Sequence, residues 1–368
     1  MRLGSPDEPA TGPRKGRSKA RESTLKKFWA LLAIALLAMG LVAGCSDDDD
    51  PAGPGDDNTL TPLEEFTAVV DVGLGYLATT GAPNVKDYAW FSSQTNGFDG
   101  FTILDIRSAS DYAAGHIEDA INTSLGAMLG AIDAGTIPVD RPFMVVCYTG
   151  QSAGHAVAAL NMLGYVAYSY KFGMAAWHTS LDTAWENNAG PTNGTAMADA
   201  GVAIETTVNT PTVTYEWPNL GLPVESPAEA VSARVAATLT AGFKAKNLAT
   251  IHADGLEDYF IVKYWTMDQY TGADPATPGH IPGAYCFVPK VDLDVDFETE
   301  GLLEYLPTDK PIIVYCWTGQ TSSQVAFVLN CLGYEAYSLS FGANNLFWSE
   351  LGANQWVDNA PEHPLVSK

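Results

Sequence analysis

Positive charge is scarce in this chain: 19 Lys and Arg stand against 43 Asp and Glu in 368 residues, a formal net charge of −24. Residues 1–44 hold eight of the basic and three of the acidic residues. Without them 11 basic face 40 acidic residues, a formal charge of −29. A surface so acidic repels polyphosphate backbones, which argues against nucleic acid as a partner. Cysteine is scarce too, and five in a chain of this length do not make a disulfide framework. No group of His, Cys and acidic residues shows metal-ligand spacing, so neither a metal nor a cofactor is expected. Long apolar runs are missing except for Phe28 to Ala43, and 16 residues are short for a membrane-spanning helix. What is present is a 46% hydrophobic content, enough to build real cores and to set disorder aside.

The one apolar run reads as an address. It follows a basic stretch ending in Lys26-Lys27 and leads into Leu41-Val42-Ala43-Gly44-Cys45, which resembles a bacterial lipobox. On this reading residues 1–44 are a lipoprotein signal peptide and Cys45 carries lipid as the new N-terminus. Four aspartates and Pro51-Ala52-Gly53-Pro54-Gly55 come next, so residues 45–58 read as a solvated acidic tether. The expected location is the cell envelope, exported and facing the periplasm, with membrane contact through the lipid alone. Ser46 rather than Asp after the cysteine favours the outer membrane over the inner. The alternatives are an uncleaved anchor or a stray apolar segment.

After the tether the chain repeats itself. Val145–Tyr165 reads VVCYTGQSAGHAVAALNMLGY and Val314–Tyr334 reads VYCWTGQTSSQVAFVLNCLGY, ten of 21 positions identical without a gap. Upstream, Thr61-Pro62-Leu63-Glu64 and Ser226-Pro227-Ala228-Glu229 each carry a hydroxyl N-cap, a proline at the first helical position and an acid in the first turn. Phe101–Leu104 and Tyr259–Val262 read as buried strands, as do Val145-Val146 and Ile312–Val314 running into Cys147 and Cys316. Helices are predicted over Ser152–Leu163 and Thr321–Leu332, each stopped by a glycine. Strand, loop and helix alternate, so each copy is an α/β unit with a mainly parallel sheet flanked by helices. The organisation is a first domain over 59–204, a proline-marked linker over 205–225, and a second domain over 226–368.

In the Cys-x-Thr-Gly-Gln-[Ser/Thr] loop the cysteine sits at the carboxyl end of a strand, where open α/β sheets place ligand sites. The backbone N–H groups of the loop and the following helix dipole favour an anionic sulfur. Gly150 and Gly319 permit the tight turn. The cradle would be Tyr148, Thr149, Gly150, Gln151 and Ser152 in the first copy, and Trp317, Thr318, Gly319, Gln320 and Thr321 in the second. Such a loop suits a persulfide and a phosphate alike.

The order of the whole set narrows this. Asp105-Ile106-Arg107, Asp111-Tyr112, Gly115-His116-Ile117, the Cys147 loop and Phe172–Trp177 follow one another as they do in a rhodanese domain. The second copy resembles it too, with Gly279-His280-Ile281 and the Cys316 loop, so the chain resembles a tandem rhodanese over roughly 60–190 and 226–356. The resemblance implies a sulfurtransferase: Cys147 and Cys316 take sulfane sulfur from polysulfide or thiosulfate as a persulfide and pass it to a thiol, cyanide or a sulfur-acceptor protein. It makes Asp105, Arg107, His116 and His280 supporting residues. Two departures bear on the activity. Neither loop carries the Arg or Lys that family loops often place there, which disfavours thiosulfate. Lys263 and Trp265 replace Asp105 and Arg107 in the second copy, which favours Cys147 as the busier site.

Rival readings remain open. Both cysteines would be plain core thiols if the loops were structural, and the tandem would be a non-catalytic binding module if loading occurred without turnover. His116 and His280 read better as structural hydrogen-bonders than as bases. His155 has Gln324 as its counterpart and lies eight residues past Cys147, so a cysteine–histidine protease is disfavoured. Cysteine phosphatases close a longer loop with arginine, and the first arginine after Cys147 is Arg234. Cys286 and Cys331 read as packing residues.

Overall fold

The computed structural model describes residues 59–79, 84–293, 301–358 and 360–367, which form one compact unit. The signal peptide, the tether and Cys45 lie outside the described residues. No helix among the described residues is long and apolar enough to cross a membrane.

The first half opens with α1 (Pro62–Ala78). Its start is a capping box, in which the Thr61 hydroxyl accepts from the Glu64 N–H and the Glu64 carboxylate accepts from the Thr61 N–H. Five strands follow: β1 (Val85–Lys86), β2 (Thr102–Asp105), β3 (Ile121–Asn122), β4 (Phe143–Val146) and β5 (Ala167–Tyr170), with α2 (Gln151–Met162) between the last two. They form a wholly parallel sheet in the order β1-β5-β4-β2-β3. β2 and β4 are buried at every position. Their unbroken apolar runs are what a parallel sheet covered on both faces requires.

The second half repeats the plan. α3 (Pro227–Ala241) precedes β6 (Ala245–Lys246), β7 (Phe260–Lys263), β8 (Tyr285–Cys286), β9 (Ile312–Tyr315), α4 (Gln320–Cys331) and β10 (Ala336–Leu339), and the order is β6-β10-β9-β7-β8. β4 and β9 are the central strands. The neighbouring strands β2 and β4 continue in opposite directions, β2 to β3 and β4 to β5, as do β7 and β9, so the switch point of each sheet lies beside its central strand.

The halves are not beads on a string. One apolar core takes Val69, Leu74 and Val157 from the first half and Val235, Phe327 and Val328 from the second. The stretch read as a linker has no regular strand or helix, but it is held along the surface: Trp217 stacks on Phe66, and the Leu222 N–H donates to Glu65. The ends cross over. Glu205, just past the first half, forms an antiparallel bridge with His280 of the second, and Val366, at the far end, forms one with His116 of the first. His363 stacks on Tyr88 with ring centroids 3.8 Å apart, and Trp177 Nε1 donates to the Pro364 carbonyl.

Candidate active site

Cys147 and Cys316 each follow directly on a central strand and are 2% exposed. Cys147 Sγ accepts from the N–H of Gly150 at 3.1 Å and of Ala153 at 3.4 Å. Cys316 Sγ accepts from the Ser322 N–H at 3.3 Å and lies 3.5 Å from the Ser322 hydroxyl. That hydroxyl is 2.8 Å from the Ser338 hydroxyl, which donates to the Gly319 carbonyl. Each sulfur therefore sits at a helix N-terminus with donors aimed at it, a setting that stabilises negative charge on sulfur. Gly150 (φ 81°) and Gly319 (φ 77°) hold the left-handed turn that begins α2 and α4.

A second segment braces each loop from behind. The Met174 N–H donates to the Cys147 carbonyl and the Ala175 N–H to that of Tyr148; Ala343 and Asn344 do the same for Cys316 and Trp317. The approach is so close that a Cβ on Gly173 would lie 2.5 Å from both the Cys147 carbonyl oxygen and the Gly150 nitrogen. The residue before that glycine is Phe172 (φ 64°) or Phe341 (φ 61°), each in a left-handed conformation that few side chains tolerate.

The glutamines of the two loops do not face the sulfur of their own half. Gln320 Oε1 accepts from the Phe172 N–H at 2.9 Å, and Gln151 Oε1 accepts from the Phe341 N–H at 2.7 Å. Both side chains are buried. Each cysteine loop thus braces the segment that supports the other one. Phe172, Trp185, Phe341 and Trp356 pack as an aromatic cluster beside this exchange. The glutamine is identical in both repeats, which was the available signal, but nothing in a linear sequence tells that it reaches across the pseudo-symmetry axis.

The supporting residues are structural. Arg107 makes a buried bidentate pair with Asp105 and donates from Nη2 to the Gly115 carbonyl. Its Nε and Nη2 are committed to these partners, and its guanidinium carbon lies 5.9 Å from the ring centroid of Tyr148 in the Cys147 loop. In the second half the Lys263 amine donates to the Gly279 carbonyl, the counterpart of Gly115, and lies 3.8 Å from the Trp265 ring centroid. An amine on an aromatic face stands where the first half has a guanidinium on a carboxylate. His116 and His280 stack on Tyr112 and Tyr270 at 3.7 Å, and their Nδ1 atoms lie 2.8 Å from the carbonyl oxygens of those tyrosines. His155 lies between Phe243 and Phe327 in the shared core, where burial pushes its pKa down to about 3.

The surroundings differ between the sites. Over Cys147, the Tyr148 hydroxyl is hydrogen-bonded to the Asp111 carboxylate and accepts from the Ser108 N–H. Beside Cys316 a cleft of about 170 Å³ includes Lys290, a cation supplied by a loop far from the cysteine in sequence. Cys147, Cys286, Cys316 and Cys331 are all free thiols. Burial pushes Cys286 and Cys331 up to about 12, so neither is poised as a thiolate.

The chain is similar to known proteins. The family model for the rhodanese-like domain matches residues 88–180 and again 232–358. The thiosulfate sulfurtransferase GlpE of Shewanella oneidensis is 38% identical over 80 residues, covering 21% of this chain and 74% of that protein. The thiosulfate sulfurtransferase GlpE of Pseudomonas fluorescens is 35% identical over 85 residues, 22% of this chain and 73% of that protein. Among solved structures, 3-mercaptopyruvate sulfurtransferase from Leishmania major covers 71% of this chain and 72% of its own at 14% identity and a TM-score of 0.26. With both halves matched, the chain belongs to the rhodanese-like domain family as a tandem of two such domains. Its general function is sulfurtransferase-like.

Proposed function

We propose that both cysteines carry sulfane sulfur, each thiolate attacking the outer sulfur of a donor and keeping it as a persulfide. With thiosulfate, the Sγ–S bond forms as the S–S bond of the donor breaks, and sulfite leaves with the electron pair. A thiol, cyanide or a carrier protein then removes the outer sulfur and regenerates the thiolate. The observation that carries this reading is the repeated cradle: at the carboxyl end of each central strand the sulfur accepts from backbone N–H at the start of a helix, Gly150 and Ala153 at Cys147 and Ser322 at Cys316. The intact mass of the protein after exposure to polysulfide should rise by one or two sulfur atoms, and site-resolved digestion should place them on these two cysteines. Cyanide or a thiol should then discharge them over many cycles. Stoichiometric loading with no turnover would instead identify a persulfide-holding module.

The reading extends to location. The lipobox-like Leu41–Cys45 and the acidic tether support a lipoprotein that faces the periplasm from the cell envelope, supplied by small sulfur compounds there. Cys45→Ala should leave unprocessed precursor or release the protein from membranes; normal processing and retention would refute the anchor.

A further inference from the structure

The two loops are alike, but the walls around them are not. Cys316 lies in a cleft with Leu77, Tyr264, Trp265, Pro289 and Trp317, all apolar or aromatic. Its volume, about 170 Å³, is below the roughly 300–1,000 Å³ of sites for drug-sized ligands, so it fits a single ring or a short chain. Matching positions in the first half show what changed. Arg107 has become Trp265, Tyr148 has become Trp317, and Asp111 has become Gln269. The two tryptophans stack with centroids 4.4 Å apart, and Lys263 lies 3.8 Å from the Trp265 centroid, so the wall is rigid. The first site keeps a carboxylate at its rim, hydrogen-bonded to Tyr148. The second has an uncharged glutamine there, and Lys290 is among the residues that line it.

Resting on the persulfide reading above, we propose that the Cys316 site is built for a small organic thiol with an apolar, preferably planar body, taken as sulfur acceptor, while the Cys147 site is indifferent to that body. The aromatic wall removes the apolar body from water, and Lys290 favours the thiolate form of the incoming ligand. The thiolate attacks the outer sulfur of the Cys316 persulfide. A bond forms between the thiolate sulfur and the outer sulfur, the bond from Sγ to the outer sulfur breaks with its electron pair remaining on Sγ, and an organic persulfide leaves. No oxidant or reductant is consumed.

The test uses the soluble chain with both cysteines intact. It is loaded with polysulfide, freed of excess, and discharged with benzyl mercaptan or 2-mercaptoethanol, thiols of similar acidity, while each persulfide is followed by site-resolved mass spectrometry. Cys316 should discharge at least tenfold faster with the benzyl thiol, and Cys147 should show a ratio near one. Trp317→Ala should collapse the preference at Cys316 alone. Equal ratios at the two cysteines in the unmodified protein overturn the proposal. Protection from iodoacetamide by phenylacetate, which offers a ring and an anion but no sulfur, tests the cleft separately. Protection of Cys316 over Cys147 supports it, and equal or no protection overturns it. If neither cysteine loads but phenylacetate still protects Cys316, the persulfide reading fails and the apolar cleft stands.

Discussion

Truncating Gln320 to alanine, in the second domain, should loosen the cysteine of the first. Gln320 is fully buried, and its Oε1 accepts from the Phe172 N–H. Removing it leaves a partly buried peptide N–H without this partner, which costs about 1–2 kcal/mol. That N–H belongs to a residue already in a left-handed conformation, which persists only because its surroundings over-determine it. Since Cys147 is 2% exposed, a reagent reaches it through local opening of the loop and its brace. Lowering the opening cost by about 1–2 kcal/mol raises the open population roughly 5- to 30-fold. Alkylation of the two cysteines by iodoacetamide, resolved by peptide mass spectrometry, should therefore show Cys147 reacting several-fold faster in Gln320→Ala. Gln151→Ala should act in the same way on Cys316. A Gln320→Ala protein whose Cys147 alkylates at the parent rate refutes the cross-bracing argument, even if its overall stability falls.

Three further outcomes follow from the charges. Burial pushes Lys263 down to about 6, so between about pH 6 and the ordinary lysine range the unfolded chain holds a proton that the folded one lacks. Stability should rise with pH across that window by up to about 1.4 kcal/mol per unit, and Lys263→Met should flatten the slope; parallel urea-midpoint profiles would contradict this. Asp182 is pushed up to about 6, first by burial and then by Glu186 and Asp358, so its contribution to stability falls as pH rises from about 4 to 6. Asp182→Asn should thus stabilise by roughly 1–2 kcal/mol at pH 7.5 and by little at pH 3.5, read from thermal melts. Thiosulfate:cyanide turnover should be slow and should rise with ionic strength as repulsion is screened, and Ser152→Arg should raise it; fast turnover that salt only inhibits would count against the electrostatic reading.

Much of the fold was legible because local signals agreed. The hydroxyl-proline-acid starts of α1 and α3, the apolar runs of β4 and β9, and the glycine after each cysteine are short-range features with short-range causes. The helices begin one residue earlier than read, because Gly150 and Gly319 are themselves the caps. What stayed hidden depends on how the repeats face each other. Gln151 and Gln320 read as parts of their own cradles, yet the N–H groups that donate to them lie across the interface. The change of Asp105 and Arg107 to Lys263 and Trp265 looked like the loss of a pair. The structure shows a different pair serving the same glycine carbonyl position. Lys290 could not be assigned to Cys316, because 26 residues of chain separate them and only the folded loop brings it to the cleft.

The crossed ends have a consequence for how this chain can be taken apart. Glu205 closes the edge at His280 and Val366 closes the edge at His116, so each half ends in an arm that completes its neighbour. That is the arrangement of two subunits exchanging arms, here within one chain and connected through residues 206–225. Proteolysis in that connector should not release two free domains. It should leave two fragments interlocked by both arms and the common core, migrating as one particle until denatured. Either fragment made alone would lack the bridge partner of its Gly-His edge and would expose the apolar faces of α1 and α2, or of α3 and α4. It should therefore recover by pairing with a second copy of itself in a symmetric dimer.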